Sequence, residues 1–324
     1  MKKITIAMIA VALSISSAML AASDGHGGQP GAFREVKLGG RPAAMGGAFT
    51  AVAYGGIGWL YNPAGISQLR KTDVALSYRV MDLDRRLGYA AITFPAREGA
   101  SIGLSWIHAG TASLEARDVQ GNLISGEDIA SNQNLVGVTF GKTFIPQLAF
   151  GGRVFYVQHN IGNINAYSVG ADFGFQGRFD LSKTAFGGIV PSAQVGLVVE
   201  NIGATYKWTT SNYWQTLGQE QGSTFDEKFP VNYRLGGALV RPGFGILAAD
   251  VEMNSASIVK THFGAEYQLY QELVLRTGLD DLHPTFGFGL YKEIDKFALF
   301  IDLAYLMDKV GEGDDFLMSL DLMF

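Results

Sequence analysis

The 324-residue chain carries 25 Lys and Arg against 30 Asp and Glu, a formal net charge of −5, and no cysteine. That balance excludes the basic footprint of a nucleic-acid binder, and the missing thiols exclude disulfides, thiolate metal sites and cysteine lipidation. Charged residues reach only 17%, while 42 glycines and 12% aromatics favour strands and turns over long helices.

Residues 1–22 read as a secretory signal. Lys2 and Lys3 precede an apolar run from Ile4 to Ile15 too short to span a bilayer, and small residues permit cleavage after Ala21 or Ala22. Downstream, no apolar run is long enough for a membrane helix. Residues 23–72 are Gly- and Ala-rich and do not alternate. Here "RPAAMGGAFTAVA" suits a short helix and "YNPAG" a turn, so the segment reads as a compact insert. Gly46 and Gly47 would let backbone approach a wall closely. Pro63 would hold Asn62 extended, leaving its amide to satisfy buried backbone groups.

From residue 73 to 324 the chain divides into roughly fourteen strands, near 73–81, 86–94, 100–108, 132–144, 147–158, 166–180, 192–201, 230–240, 244–252, 258–269, 273–280, 285–292, 297–306 and 315–324. Each alternates. In Tyr167–Asp180 one face carries Tyr167, Val169, Phe173 and Phe175, and the other Ser168, Asp172, Gln176 and Arg178. A soluble sandwich would turn the apolar set inward; a membrane barrel would turn it towards lipid. The connections favour the barrel, because they tend to alternate between long and short, as outer-membrane barrels do. The short first connection and the long sixth one depart from that rule. The polar faces carry charges of both signs, and a barrel would place Arg153, Asp172, Arg178, Arg234, Asp250, Glu252, Lys260 and Glu266 in its lumen. Asp250 and Glu252 are expected to neighbour Arg234 and Lys260. The closing strand ends on Phe324, in phase with Phe316, Met318, Leu320 and Leu322, which resembles the assembly signal of bacterial outer-membrane barrels.

The run "RPAAMGGAFTAVA" followed by "YNPAGI", with the later "VGLVVENIG", "FPVNYRLGGAL", "LAADVE" and "HFGAEY", resembles the PorV/PorQ family. That family lies within the superfamily of the long-chain fatty-acid transporter FadL. The resemblance implies an all-β fold: a 14-stranded antiparallel transmembrane β-barrel (residues 73–324) in the outer membrane of a diderm bacterium. An N-terminal hatch with short helices, residues 23–72, would plug it. The hatch residues carried over are Arg41, Met45, Gly46, Gly47, Ala48, Asn62, Pro63, Ala64 and Gly65. Where family members often carry an acidic pair, this chain has "YGGIG", Tyr54 to Gly58, so a charge-based contact is not expected there.

No enzyme chemistry is legible. The five histidines are far apart, and no nucleophile elbow, P-loop or dinucleotide fingerprint is present, so no cofactor or metal is expected. Three functions stay open. The first is passive transport of hydrophobic small molecules, as the FadL superfamily implies. The second is a PorV-like shuttle or docking barrel for type IX secretion, with cargo or secretion proteins as partners. The third is a purely structural barrel. Under either of the first two, the loop with Trp208, Tyr213, Trp214 and Phe225 is a candidate capture surface, and outer-membrane lipid surrounds the wall.

Overall fold

The computed structural model describes residues 28–117, 120, 122–185, 187–210, 222–307 and 313–324. The signal reading of residues 1–22 lies outside them. Among the described residues, sixteen strands follow an N-terminal segment. They are β1 (Asp73–Val80), β2 (Arg85–Arg97), β3 (Ala100–Arg117), β4 (Leu123–Ile145), β5 (Leu148–Ile161), β6 (Ile164–Asp180), β7 (Ser192–Ile202) and β8 (Thr205–Thr209). Then come β9 (Thr224–Lys228), β10 (Asn232–Arg241), β11 (Gly245–Asn254), β12 (Val259–Gln268), β13 (Leu273–Asp280), β14 (His283–Ile294), β15 (Phe297–Leu306) and β16 (Asp315–Met323).

Fourteen of these form a closed antiparallel ring: β1 to β7 in order, then β10 to β16, with β16 pairing back onto β1. At the seam, Thr72 and Phe324 exchange both backbone hydrogen bonds, at 3.0 and 2.9 Å. This end, where the first strand begins and the last one finishes, is called the near end below, and the opposite end the far end.

Two stretches read as loops are strands. Residues 109–131 continue β3 and β4 as a ribbon beyond the ring, with Leu114 opposite Ile129. Residues 202–229 contain the hairpin β8–β9, which hangs on β6 through Asn165–Thr209 to Tyr167–Lys207. Both are polar ladders without a long apolar stripe, so alternation could not reveal them. The β6–β7 ladder shifts register between Ala171 and Phe173, opposite the stretch where Asn201 holds φ at 65°.

The apolar stripes point outward. In β6, Val169 is 58% exposed and Phe175 44%, while the intervening Asp172 is 0% exposed. The pattern recurs round the ring in Leu104, Val138, Tyr156, Leu235, Leu247 and Met318. A continuous apolar exterior of this kind suits a hydrocarbon surrounding and would drive association in water.

The core lies inside the ring. A 3-10 turn at Ala32–Arg34, short helices at Gly40–Ala44 and Gly55–Gly58, and a 3-10 helix at Pro63–Gln68 make up the N-terminal segment. The helix Gly40–Ala44 packs on β13 to β16, Gly55–Gly58 on β1, β2 and β16, and Pro63–Gln68 on β3 to β6. Ala43, Met45, Trp59, Ala64 and Ile66 have no exposed surface. The first helix stays short because Gly46 and Gly47 follow it with φ of 64° and 85°, and a side chain at Gly46 would collide with the Leu279 backbone.

Candidate functional site: the inner segment and the mouths of the lumen

The inner segment is held from several sides. Nearest the far end, Arg34 pairs with Asp172 at 2.8 Å, bonds Asn201 and lies 4.3 Å over the Phe155 ring. Glu35 pairs with Arg234 at 2.9 Å and accepts from Asn232. Lys37 lies 3.8 Å from Glu252. Arg153 and Glu200 complete a buried cluster in which four cations (Arg34, Lys37, Arg153, Arg234) face four carboxylates (Glu35, Asp172, Glu200, Glu252). Burial and the neighbouring Glu252 push the Glu35 carboxyl up to about 7, against the pull of Arg234.

The residues carried over from the family pattern occupy buried joints. Arg41 grips Glu266 with two bonds, at 2.8 and 3.1 Å. Met45 and Ala48 are fully buried, and the Gly46 carbonyl lies 2.9 Å from His262 Nδ1. Gly47 lies against the Lys37 side chain. Asn62 spans two partners: its amide donates to the carbonyls of Thr50 and Phe175, both at 2.9 Å, and its Oδ1 accepts from Ala64 N. Pro63 then opens the 3-10 helix, where its missing N–H costs nothing. Gly65 lies so close to Ala53 that a Cβ would sit 2.6 Å from its carbonyl oxygen. Opposite this turn, Gly141, Gly151 and Gly174 lie side by side across β4, β5 and β6, making a flat floor for Asn62, Pro63 and Ile66.

Most expected lumen charges do face inward. Arg153, Asp172, Arg234, Asp250 and Glu252 are buried, and Glu266 and Lys260 lie partly covered near opposite mouths. Arg178 differs: it is exposed on the near-end rim, where it donates to Gln68 at the end of the inner segment at 2.6 Å. Asp250 also departs from its expected role. Its Oδ2 accepts the backbone N–H groups of Phe49 and Thr50 at 2.9 and 2.8 Å, while Glu252 takes Arg234 at 3.2 Å. The expected capture loop is only partly open. Trp208 is buried beside His159 and Tyr206 and donates to Glu227 at 2.9 Å; Phe225 is exposed; Tyr213 and Trp214 lie outside the described residues. Sequence reasoning missed Arg34, Glu35 and Lys37 as clamp residues, although "FREVK" is a dense charge run in an otherwise uncharged stretch.

Three hollows flank the segment. A far-end cavity of about 440 Å³ has Phe33, Val36, Met81, Leu87, Ala109 and Leu306 among its lining and Arg79, Arg85 and Arg86 beside them. Two others, about 910 and 270 Å³, include the near-end turns and strand ends in their walls. Between them Leu38, Trp59 and Tyr61 fill the lumen at mid-depth, leaving a gap of about 30 Å³ beside Tyr61.

The ring has known structural counterparts. The toluene transporter TbuX of Ralstonia pickettii superposes with a TM-score of 0.61 at 12% identity, covering 88% of this chain and 98% of its own. The toluene transporter TodX of Pseudomonas putida gives 0.57 at 13%, covering 88% and 96%. The monoaromatic hydrocarbon channel CymD gives 0.57 at 12%, covering 89% and 97%. At such identities the likeness establishes the fold alone. A search of curated proteins finds no match. By a family model that matches residues 7–231, the chain belongs to the uncharacterised protein family UPF0164.

Proposed function

We propose that this protein is an outer-membrane channel for hydrophobic small molecules, with residues 23–72 serving as a hatch inside the barrel of residues 73–324. The observation that carries the reading is the pairing of a far-end cavity that combines apolar residues (Phe33, Val36, Leu87, Leu306) with charged ones at its wall and a lumen packed shut directly beneath it. Such a cavity captures an apolar solute by removing its surface from water, at about 25 cal/mol per Å². A polar solute would gain nothing from Phe33, Leu87 and Leu306. The TodX, TbuX and CymD barrels, described as toluene or monoaromatic hydrocarbon channels, support the same reading by shape. The finer kinship with PorV/PorQ belongs to this proposal too. It rests on the Gly46-Gly47 and Asn62-Pro63-Ala64-Gly65 pairing and on the buried joints those residues make.

Proteoliposomes test the reading. The intact protein should speed the uptake of a monoaromatic hydrocarbon while passing almost no ionic current. A variant lacking residues 28–70 should conduct ions in a planar bilayer. Equal uptake with protein-free vesicles overturns the channel; a silent deletion variant overturns the hatch.

A further inference from the structure

The near-end cavity of about 910 Å³ lies at the opposite end from the apolar far-end hollow and combines Phe144, Ile145 and Leu148 with charged and amide side chains. Its walls are the turns joining β2 to β3 and β4 to β5, the near-end portions of β6 and β7, and the last residues of the inner segment. Three arginines, Arg70, Arg97 and Arg178, line it, and all three are exposed. Among the described residues none of them is ion-paired, and Glu98 is the only carboxylate among the residues lining the hollow. The side chains of Gln68, Gln147, Gln176 and Gln194 line it as well.

This is an anion-binding composition with an added feature. Guanidinium groups hold carboxylates through paired, charge-assisted bonds. Glutamine amides both donate and accept, which matches the alternating N–H and C=O of a peptide backbone; a phosphate group can only accept. We propose that the near-end basin binds an acidic peptide segment of a partner protein, its carboxylates on Arg70, Arg97 and Arg178 and its backbone against the glutamine amides. The binding claim is independent of the channel reading.

The same basin is wired to the inner segment. Arg178 donates to Gln68 Oε1 at 2.6 Å, Gln68 donates to Gln176 Oε1 at 3.0 Å, and Gln176 donates to the Ala53 carbonyl at 3.0 Å. A carboxylate that captures Arg178 breaks the first link and releases Gln68. Occupancy of the basin thereby loosens the segment where it passes residues 50–53.

The test uses the full chain in a neutral detergent, with fluorescein-labelled hexaglutamate as the probe and fluorescence anisotropy as the readout. Hexaglutamate should bind and hexalysine should not. The triple variant Arg70→Gln, Arg97→Gln, Arg178→Gln should bind at least about tenfold more weakly. The far-end pair Arg85→Gln, Arg86→Gln should bind like the wild type. No binding by the wild type, equal binding by the triple variant, or equal binding of hexalysine overturns the proposal. So does displacement of the peptide by phosphatidylglycerol at the same three arginines, which would assign the basin to a lipid headgroup. The wiring has its own readout: hydrogen exchange at residues 50–53 should rise when the peptide is added, and unchanged exchange alongside intact binding overturns the wiring alone.

Discussion

The inner segment meets two unlike walls. Towards β10 to β16 it is held by directed polar contacts: Glu35 to Arg234, Lys37 to Glu252, Arg41 to Glu266, Phe49 and Thr50 to Asp250, Gly40 to Ser319, and Ala44 to Thr285. Towards β2, β3 and β4 no ion pair joins segment and wall among the described residues. There two hydrogen bonds, from Tyr89 to the Gly56 carbonyl and from Thr143 to the Ser67 hydroxyl, accompany a fit that is mainly one of shape, with Trp59 and Ile66 set against Gly103 and Gly141. The hydroxyls of Thr93, Ser101, Ser105 and Thr139 on that wall are buried without a protein partner, as is the Trp59 indole N–H. Directed bonds fix a register and are lost abruptly when displaced. Shape contact is forgiving of small slides and intolerant of added volume.

That difference can be broken by volume on one side and by chemistry on the other. The largest effect is expected from Gly151→Leu. A Cβ there already lies 2.2 Å from the Pro63 backbone, so the turn at Asn62 must leave the wall. The expected outcome is a folded ring that conducts ions, with residues 60–70 open to limited proteolysis. A closed, protease-resistant variant would contradict the close-packed floor. Next comes Asp250→Ala, which strands two buried N–H groups and should cost on the order of 3 kcal/mol in thermal unfolding in detergent. A loss below about 0.5 kcal/mol would mean that the polar wall is not what grips the segment.

Acidity sharpens the contrast further. The Glu35 carboxyl titrates near 7 when docked, against an ordinary value of 4.5. The docked state therefore holds a proton more tightly than the undocked one. The stabilisation is complete below pH 4.5 and is lost as pH rises through 7, a change on the order of 3 kcal/mol. Glu35→Gln should flatten this dependence, as read from melting temperature across the range; an unchanged slope would place the titrating group elsewhere. The smallest effect belongs to the shape-fitted wall. Thr139→Val replaces a partnerless hydroxyl with a methyl of similar size and should be neutral or stabilising by up to about 1 kcal/mol. A clear loss would reveal a partner for that hydroxyl.

How much of this could be read from residues alone follows from the same division. The strands were legible because one face of each is apolar at every second residue, as in Tyr167, Val169, Phe173 and Phe175; the ring came from the spacing of the connections, since alternation alone suits a sandwich as well. The inward charges on β5, β6, β10, β11 and β12 came with it, since parity alone assigns them. Arg178 escaped because parity gives a face and not a depth; it shares Asp172's side of β6 but lies past the segment that covers Asp172. The far-end ribbon and the β8–β9 hairpin escaped because outside the ring nothing demands a continuous apolar stripe. The clamp of Arg34, Glu35 and Lys37 was hidden for a different cause: it depends on which strands the segment crosses, and no local pattern encodes that crossing.

The seam between β1 and β16 has a bearing on biogenesis. Its partners, Thr72 and Phe324, are far apart in sequence, so closing the ring requires a long-range pairing of the kind that slows folding. Residues 28–70 come earliest in the described chain yet touch staves from both halves. Joining β16 to β1 thus closes the staves around a stretch that precedes all of them in the chain.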